Sequence, residues 1–85
     1  MMKPNVKMYS SAWCPFCIQA KRLLDSKGVE YEEILVDGNS SLRSKMMQES
    51  GRHTVPQIWI NDFHVGGCDD LFSLERARKL DKLLS

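Results

Sequence analysis

Excess charge of either sign is missing from this 85-residue chain: twelve basic residues face eleven acidic ones, for a formal charge of +1. Without a basic stripe there is no electrostatic footprint for a phosphate backbone, so nucleic acid is not an expected partner. No apolar run approaches the roughly 20 residues that a membrane-spanning helix needs, and no membrane partner is expected either. Met1-Met2-Lys3-Pro4-Asn5 offers no apolar stretch of the signal-peptide kind, which predicts a cytoplasmic location. Cysteine is scarce. Three of them, an odd number, do not make an extracellular disulfide framework. A second Cys-x-x-Cys that would close a structural zinc site is also lacking, so His53 and His64 are not expected to join the cysteines around a metal. Repeats, linkers and low-complexity tracts are absent, and a single domain over residues 1–85 is predicted. A chain of this size buries roughly 60–68% of its unfolded surface.

What is present is concentrated in Trp13-Cys14-Pro15-Phe16-Cys17. Before it, Asn5-Val6-Lys7-Met8-Tyr9 alternates and predicts a strand. After it, Ile18, Ala20, Leu23 and Leu24 recur at helical spacing. Proline is tolerated best at the first helical position, where its missing N–H would have no partner. That puts Cys14 at the N-cap and Cys17 in the first turn. Residues three apart on a helix lie about 5–6 Å from one another, inside the window of about 4.4–6.8 Å for a disulfide. The unpaired amides and positive pole of the helix favour a thiolate at Cys14. The pair reads as a redox-active dithiol.

Ser26-Lys27-Gly28 ends the first helix. Tyr31 to Val36 predicts a second strand, parallel to the first because a helix connects them. Asp37 to Ser41 form a turn into a helix with Leu42, Met46 and Glu49 on one face, stopped by Gly51. Gln57-Ile58-Trp59-Ile60 and Phe63-His64-Val65-Gly66, with Asn61-Asp62 between them, predict a hairpin. Gly66-Gly67 leads into Cys68-Asp69-Asp70 and a last helix with Leu71, Leu74 and Ala77. Leu80, Leu83 and Leu84 continue that helix or add a short turn. Trp59 reads as core or sheet surface, and Lys21 and Arg22 as a solvated face.

Four motifs in this order, Cys14-Pro15-Phe16-Cys17, Asp37-Gly38-Asn39, Thr54-Val55-Pro56 and Gly66-Gly67-Cys68-Asp69-Asp70, resemble the small bacterial-type glutaredoxins, near the glutaredoxin 3 subgroup. A Cys-x-x-Cys alone also fits zinc ribbons and thioredoxins. The resemblance runs from about Asn5 to the C-terminus. It implies an α/β thioredoxin fold, a four-stranded mixed sheet flanked by helices in the order β-α-β-α-β-β-α.

On its own, Pro56 reads as well as a strand-initiating proline that holds Val55 extended. The resemblance implies a cis Val55–Pro56 bond that turns the Val55 backbone toward the dithiol, where it can pair with an incoming peptide as in β-augmentation. The amides of Cys68 and Asp69 can take a carboxylate, and the Asp69 side chain an ammonium. The family binds the γ-glutamyl end of glutathione there. The Cys68 thiol is read as a half-buried bystander, and Asp70 as the helix cap. Arg52 stands where the family places a cation for the glycine carboxylate of glutathione. Phe16 replaces the commoner tyrosine as an apolar platform, and Trp13 flanks the substrate thiol. One departure is Ser11, where the family usually has a lysine.

The implied activity is glutathione-dependent thiol–disulfide oxidoreduction, with Cys14 as nucleophile and Cys17 resolving. Its clients are disulfide-containing or glutathionylated proteins. Glutathione is a reducing co-substrate, no cofactor or metal is held permanently, and a monomer is expected. Two alternatives are weighed against it. A redoxin reduced directly by thioredoxin reductase is favoured by Trp13 and Ser11 and opposed by Cys68-Asp69-Asp70 and Arg52. An iron–sulfur carrier is opposed by Pro15, since cluster-binding relatives often have a smaller residue there.

Overall fold

The computed structural model of the protein describes residues 4–85. Met1 to Lys3, on which the expectation of no leader partly rests, lie outside the described residues. Eight elements follow one another: β1 (Val6–Ser10), α1 (Pro15–Ser26), β2 (Glu32–Leu35), α2 (Ser40–Ser50), β3 (Gln57–Ile60), β4 (Phe63–Gly66), α3 (Cys68–Arg76) and α4 (Leu80–Leu84). The sheet order is β2-β1-β3-β4. β1 pairs parallel with β2, with Tyr9 opposite Ile34, and antiparallel with β3, with Met8 opposite Ile58. This is the four-stranded mixed sheet of the thioredoxin fold.

Side chains alternate across a strand, and β1 therefore feeds two cores. Val6 and Met8 pack with Ala20, Leu24, Leu71, Leu80 and Leu84 on one face. Tyr9 packs with Val36 and Met46 on the other. Helices cover both faces.

Several local features differ from the sequence expectations. Strand β1 runs one residue later than predicted and takes in Ser10. Strand β2 is shorter than Tyr31 to Val36, and its Glu32, Glu33 and Leu35 are exposed, as suits a charged sheet edge. The buried stripe of α1 is Cys17, Ala20 and Leu24, whereas Ile18 is 40% exposed. Ile18 lies one helical step round from Cys17, off the core-facing stripe. Leu80 to Leu84 form a separate helix, which adds an element to the predicted order. Arg78 has φ +60° and breaks the helical path after Arg76. The hairpin is where it was expected. Asn61 and Asp62 both have positive φ, as a type I′ turn requires.

Candidate active site

Cys14 caps α1 with extended backbone, and Pro15 opens the helix. The Cys17 amide donates to Cys14 Sγ at 3.3 Å. In this reduced pair the two sulfurs differ sharply. Cys14 is half-buried and Cys17 has 0% exposure. Burial, followed by the neighbouring Cys14, pushes the Cys17 thiol up to about 11.

The strip Thr54-Val55-Pro56 passes beside the dithiol. Its Val55–Pro56 bond is cis, and the Val55 carbonyl lies 3.7 Å from Cys14 Sγ. Beyond it opens a cavity of about 290 Å³ lined by Phe16, Arg52, Thr54, Val55, Pro56, Gly67, Cys68, Asp69 and Asp70. The site residues that the motifs singled out outside the Cys-x-x-Cys thus share one cavity, and Cys14 stands at its edge through Val55.

The far wall is the N-terminus of α3. Gly67 is its N-cap and has no side chain to offer, so the Asp70 carboxylate reaches back to the Gly67 amide at 2.9 Å. The same Oδ2 accepts from Arg52 Nη1 at 2.9 Å. The amide, then the guanidinium, hold the Asp70 carboxyl below its ordinary value. Gly66, at φ +114°, lies under this pair. A Cβ there would collide with the Asp70 carboxylate and come within 3.1 Å of Arg52 Nη1. The Cys68 and Asp69 amides, in the first turn, have no intrahelical acceptor. Asp69 is exposed on the cavity wall. The Cys68 thiol packs into the core, and burial raises it above its ordinary value.

Arg52 is paired with Asp70. Two placements depart from expectation. Lys21 is no solvated residue. It is half-buried and pairs with Glu33 at 3.0 Å across to β2. Cys68 is fully rather than half buried. Trp13 is 90% exposed beside Cys14. Trp59 lies on the sheet, with the Lys7 ammonium 4.9 Å from its ring centroid and the His64 ring 4.7 Å away.

Two supports of the site were not apparent from sequence. Asp37 accepts from Ser11 Oγ at 2.5 Å and from the Ala12 amide at 2.7 Å, bracing the loop before Cys14. The Ala12 amide, then Ser11, lower its carboxyl. The signal was the Asp37-Gly38-Asn39 motif itself, one of the four that carry the family resemblance. Buried Gln57 donates to the Thr54 carbonyl at 3.0 Å and meets His64 Nε2 at 2.8 Å. With the Gln57 nitrogen committed to Thr54, its oxygen faces His64, which must donate from Nε2. A glutamine inside an apolar strand was the only hint. Among the described residues, no group of three or more His, Cys, Asp or Glu is arranged to hold a metal ion.

Comparison with known proteins agrees with this geometry. The family model described as Glutaredoxin matches residues 6–65. The chain belongs to the glutaredoxin family. It is 58% identical to a glutaredoxin of Pseudomonas aeruginosa over 96% of this chain and 98% of that protein. It is 51% identical to glutaredoxin 3 of Escherichia coli over 94% and 96% respectively. Among solved structures, a buckwheat glutaredoxin–glutathione complex matches with a TM-score of 0.88 and 30% identity, covering 95% of this chain and 76% of that one. A Brucella melitensis glutaredoxin matches at 0.85 with 49% identity, over 96% and 89%. Family and fold make this glutaredoxin a thiol–disulfide oxidoreductase. No helix among its described residues is long and apolar enough to cross a membrane.

Proposed function

We propose that the chain reduces protein–glutathione mixed disulfides and protein disulfides with electrons from glutathione. The observation that carries this is the asymmetry of the dithiol beside one cavity. A half-buried Cys14 sulfur receives an amide at a helix N-terminus, while Cys17 is sealed beneath it as a thiol raised to about 11. Only Cys14 is both reachable and supplied with a donor for negative charge.

In the monothiol route the Cys14 thiolate attacks the glutathione sulfur of a mixed disulfide. That S–S bond breaks and the client leaves as a thiolate that takes up a proton. A second glutathione thiolate then attacks the Cys14-bound glutathione, forming glutathione disulfide and freeing Cys14. In the dithiol route Cys14 attacks a client disulfide, and the Cys17 thiolate attacks Cys14 Sγ to expel the second client sulfur. The resulting Cys14–Cys17 disulfide is reduced by two glutathiones.

Glutathione fits the cavity by charge. Its cysteine unit pairs with the Val55 backbone, beside Thr54 and against Pro56 and Phe16. Its γ-glutamyl carboxylate meets the Cys68 and Asp69 amides, and its ammonium meets the Asp69 carboxylate. Its glycine carboxylate reaches Arg52, in competition with Asp70. The reductant is tested by offering glutathione with glutathione reductase, or thioredoxin reductase, to the same disulfide substrate. Turnover with glutathione and little with thioredoxin reductase is expected. The opposite preference would make this a redoxin of the thioredoxin-reductase kind, which the exposed Trp13 also suits.

A further inference from the structure

We propose that Ser10, the last residue of β1, is the positioning residue that readies Cys17 for its resolving attack. This deepens the proposed function and rests on Cys17 being the resolving thiol. Ser10 has 0% exposure, and its hydroxyl oxygen makes no well-aligned hydrogen bond among the described residues. By the alternation of β1 it shares a face with Val6 and Met8, the face that α1 covers through Ala20 and Leu24. Buried Cys17 belongs to the same stripe of α1. On the neighbouring strand, Glu33 stands opposite Met8, and its carboxylate takes the Lys21 ammonium at 3.0 Å. Ser10 therefore lies between a buried thiol and a braced carboxylate. Poor alignment notwithstanding, its hydroxyl pulls both groups toward their charged forms.

A buried hydroxyl without a partner is destabilising, so packing alone would be served at least as well by alanine. The one negatively charged group near Ser10 at rest, Glu33, is already paired with Lys21, and the reaction creates a second, unpaired one. Cys17 gives up its proton and its thiolate attacks Cys14 Sγ. The bond between Cys14 and the client breaks, and the departing client sulfur is reduced and protonated. While Cys17 carries the charge, the sulfur is too deep for water to solvate. The Ser11 backbone supplies one favourable contact. The Ser10 O–H supplies the other. It has one proton to donate, and Lys21 already neutralises Glu33, which leaves that proton for sulfur.

The test compares wild type, Ser10→Ala and Ser10→Thr on two probes with glutathione as reductant: a glutathionylated peptide and a peptide closed by one internal disulfide. Losing a hydrogen bond to a charged group predicts that Ser10→Ala slows the internal-disulfide reaction by about tenfold and leaves deglutathionylation within about twofold. Its melting temperature should be no lower than that of wild type. Ser10→Thr, which keeps the hydroxyl, should recover most of the lost rate. Unchanged rates on both probes, equal losses on both, or a folded threonine variant as slow as alanine would overturn the role. Should the added methyl prevent folding, the alanine result alone decides. A Cys17→Ser control that kept the internal-disulfide activity would defeat the resolving role of Cys17 itself, and this inference with it.

Discussion

Two helix N-termini meet at the cavity, and they dispose of their unpaired amides in opposite ways. The first turn of α1 is capped by the Cys14 sulfur, which accepts from the Cys17 amide. The first turn of α3 starts at a glycine and is capped from inside by Asp70, which an arginine on another loop holds in place. At α1 the cap and the reactive atom are one. At α3 the cap is assigned to Asp70, which leaves Asp69 and two amides for a ligand. Under the proposed function the difference separates a reacting end from a recognising end, although the peptide dipoles are the same.

The sharpest way to break this contrast is at α1. Cys14→Ser should abolish both disulfide reduction and deglutathionylation while leaving the melting temperature near wild type. A serine oxygen still caps the helix but does not exchange with disulfides. Cys17→Ser should keep deglutathionylation and lose most reduction of internal disulfides. Retained turnover in Cys14→Ser, by either assay, would remove the reactive role from this end.

The next largest effect belongs to Asp69 at α3. Losing a charged hydrogen-bond partner costs about 1.5–3 kcal/mol, so Asp69→Ala should raise the glutathione KM by roughly tenfold or more with little change in kcat. Steady-state kinetics with varied glutathione measures it, and an unchanged KM would place the ligand elsewhere.

Asp70→Ala should show the converse pattern, with stability falling by about 0.5–2 kcal/mol for the lost cap and KM moving less than in Asp69→Ala. Urea unfolding at several pH values also tests the sign. A carboxyl held low by folding contributes fully above the ordinary aspartate value of 3.8. That contribution fades as pH falls below it through the lowered folded value. The gap between wild type and Asp70→Ala should therefore close in acid.

The smallest effect concerns Ser11. A lysine there restores a family feature, but Asp37 stands within hydrogen-bonding reach and would pair with the new ammonium. Exposed pairs are worth little, so the change in KM for glutathionylated peptides should stay within about fivefold and shrink at high salt. A larger gain would mean that the ammonium escapes Asp37.

Legibility in sequence followed the range of the interaction. Pro15 after Cys14, Asn61-Asp62 between two apolar runs and Gly51 after a helical face act within a few residues, and each structural consequence matches. The exposure of Ile18 was not legible, because one apolar residue on a short helix does not tell which of two adjacent stripes faces the core. The pairs Lys21–Glu33, Arg52–Asp70 and Gln57–His64 were hidden for another reason. Each joins residues on different elements, and no local pattern reports which charge or amide the fold brings opposite. The residues that line the candidate site were legible as motifs. Their supports were not.

The placement of the two tryptophans gives this protein a pair of independent optical probes. Trp13 stands in solvent on the residue before Cys14, so its emission is exposed to quenching whenever that sulfur is oxidised. Trp59 lies away on the sheet against His64, whose ring burial and Arg52 keep neutral to lower pH than usual. Its emission is expected to follow imidazole protonation rather than sulfur. One indole is thus a gauge of electrons and the other a gauge of protons, and single-tryptophan variants would let each be read alone.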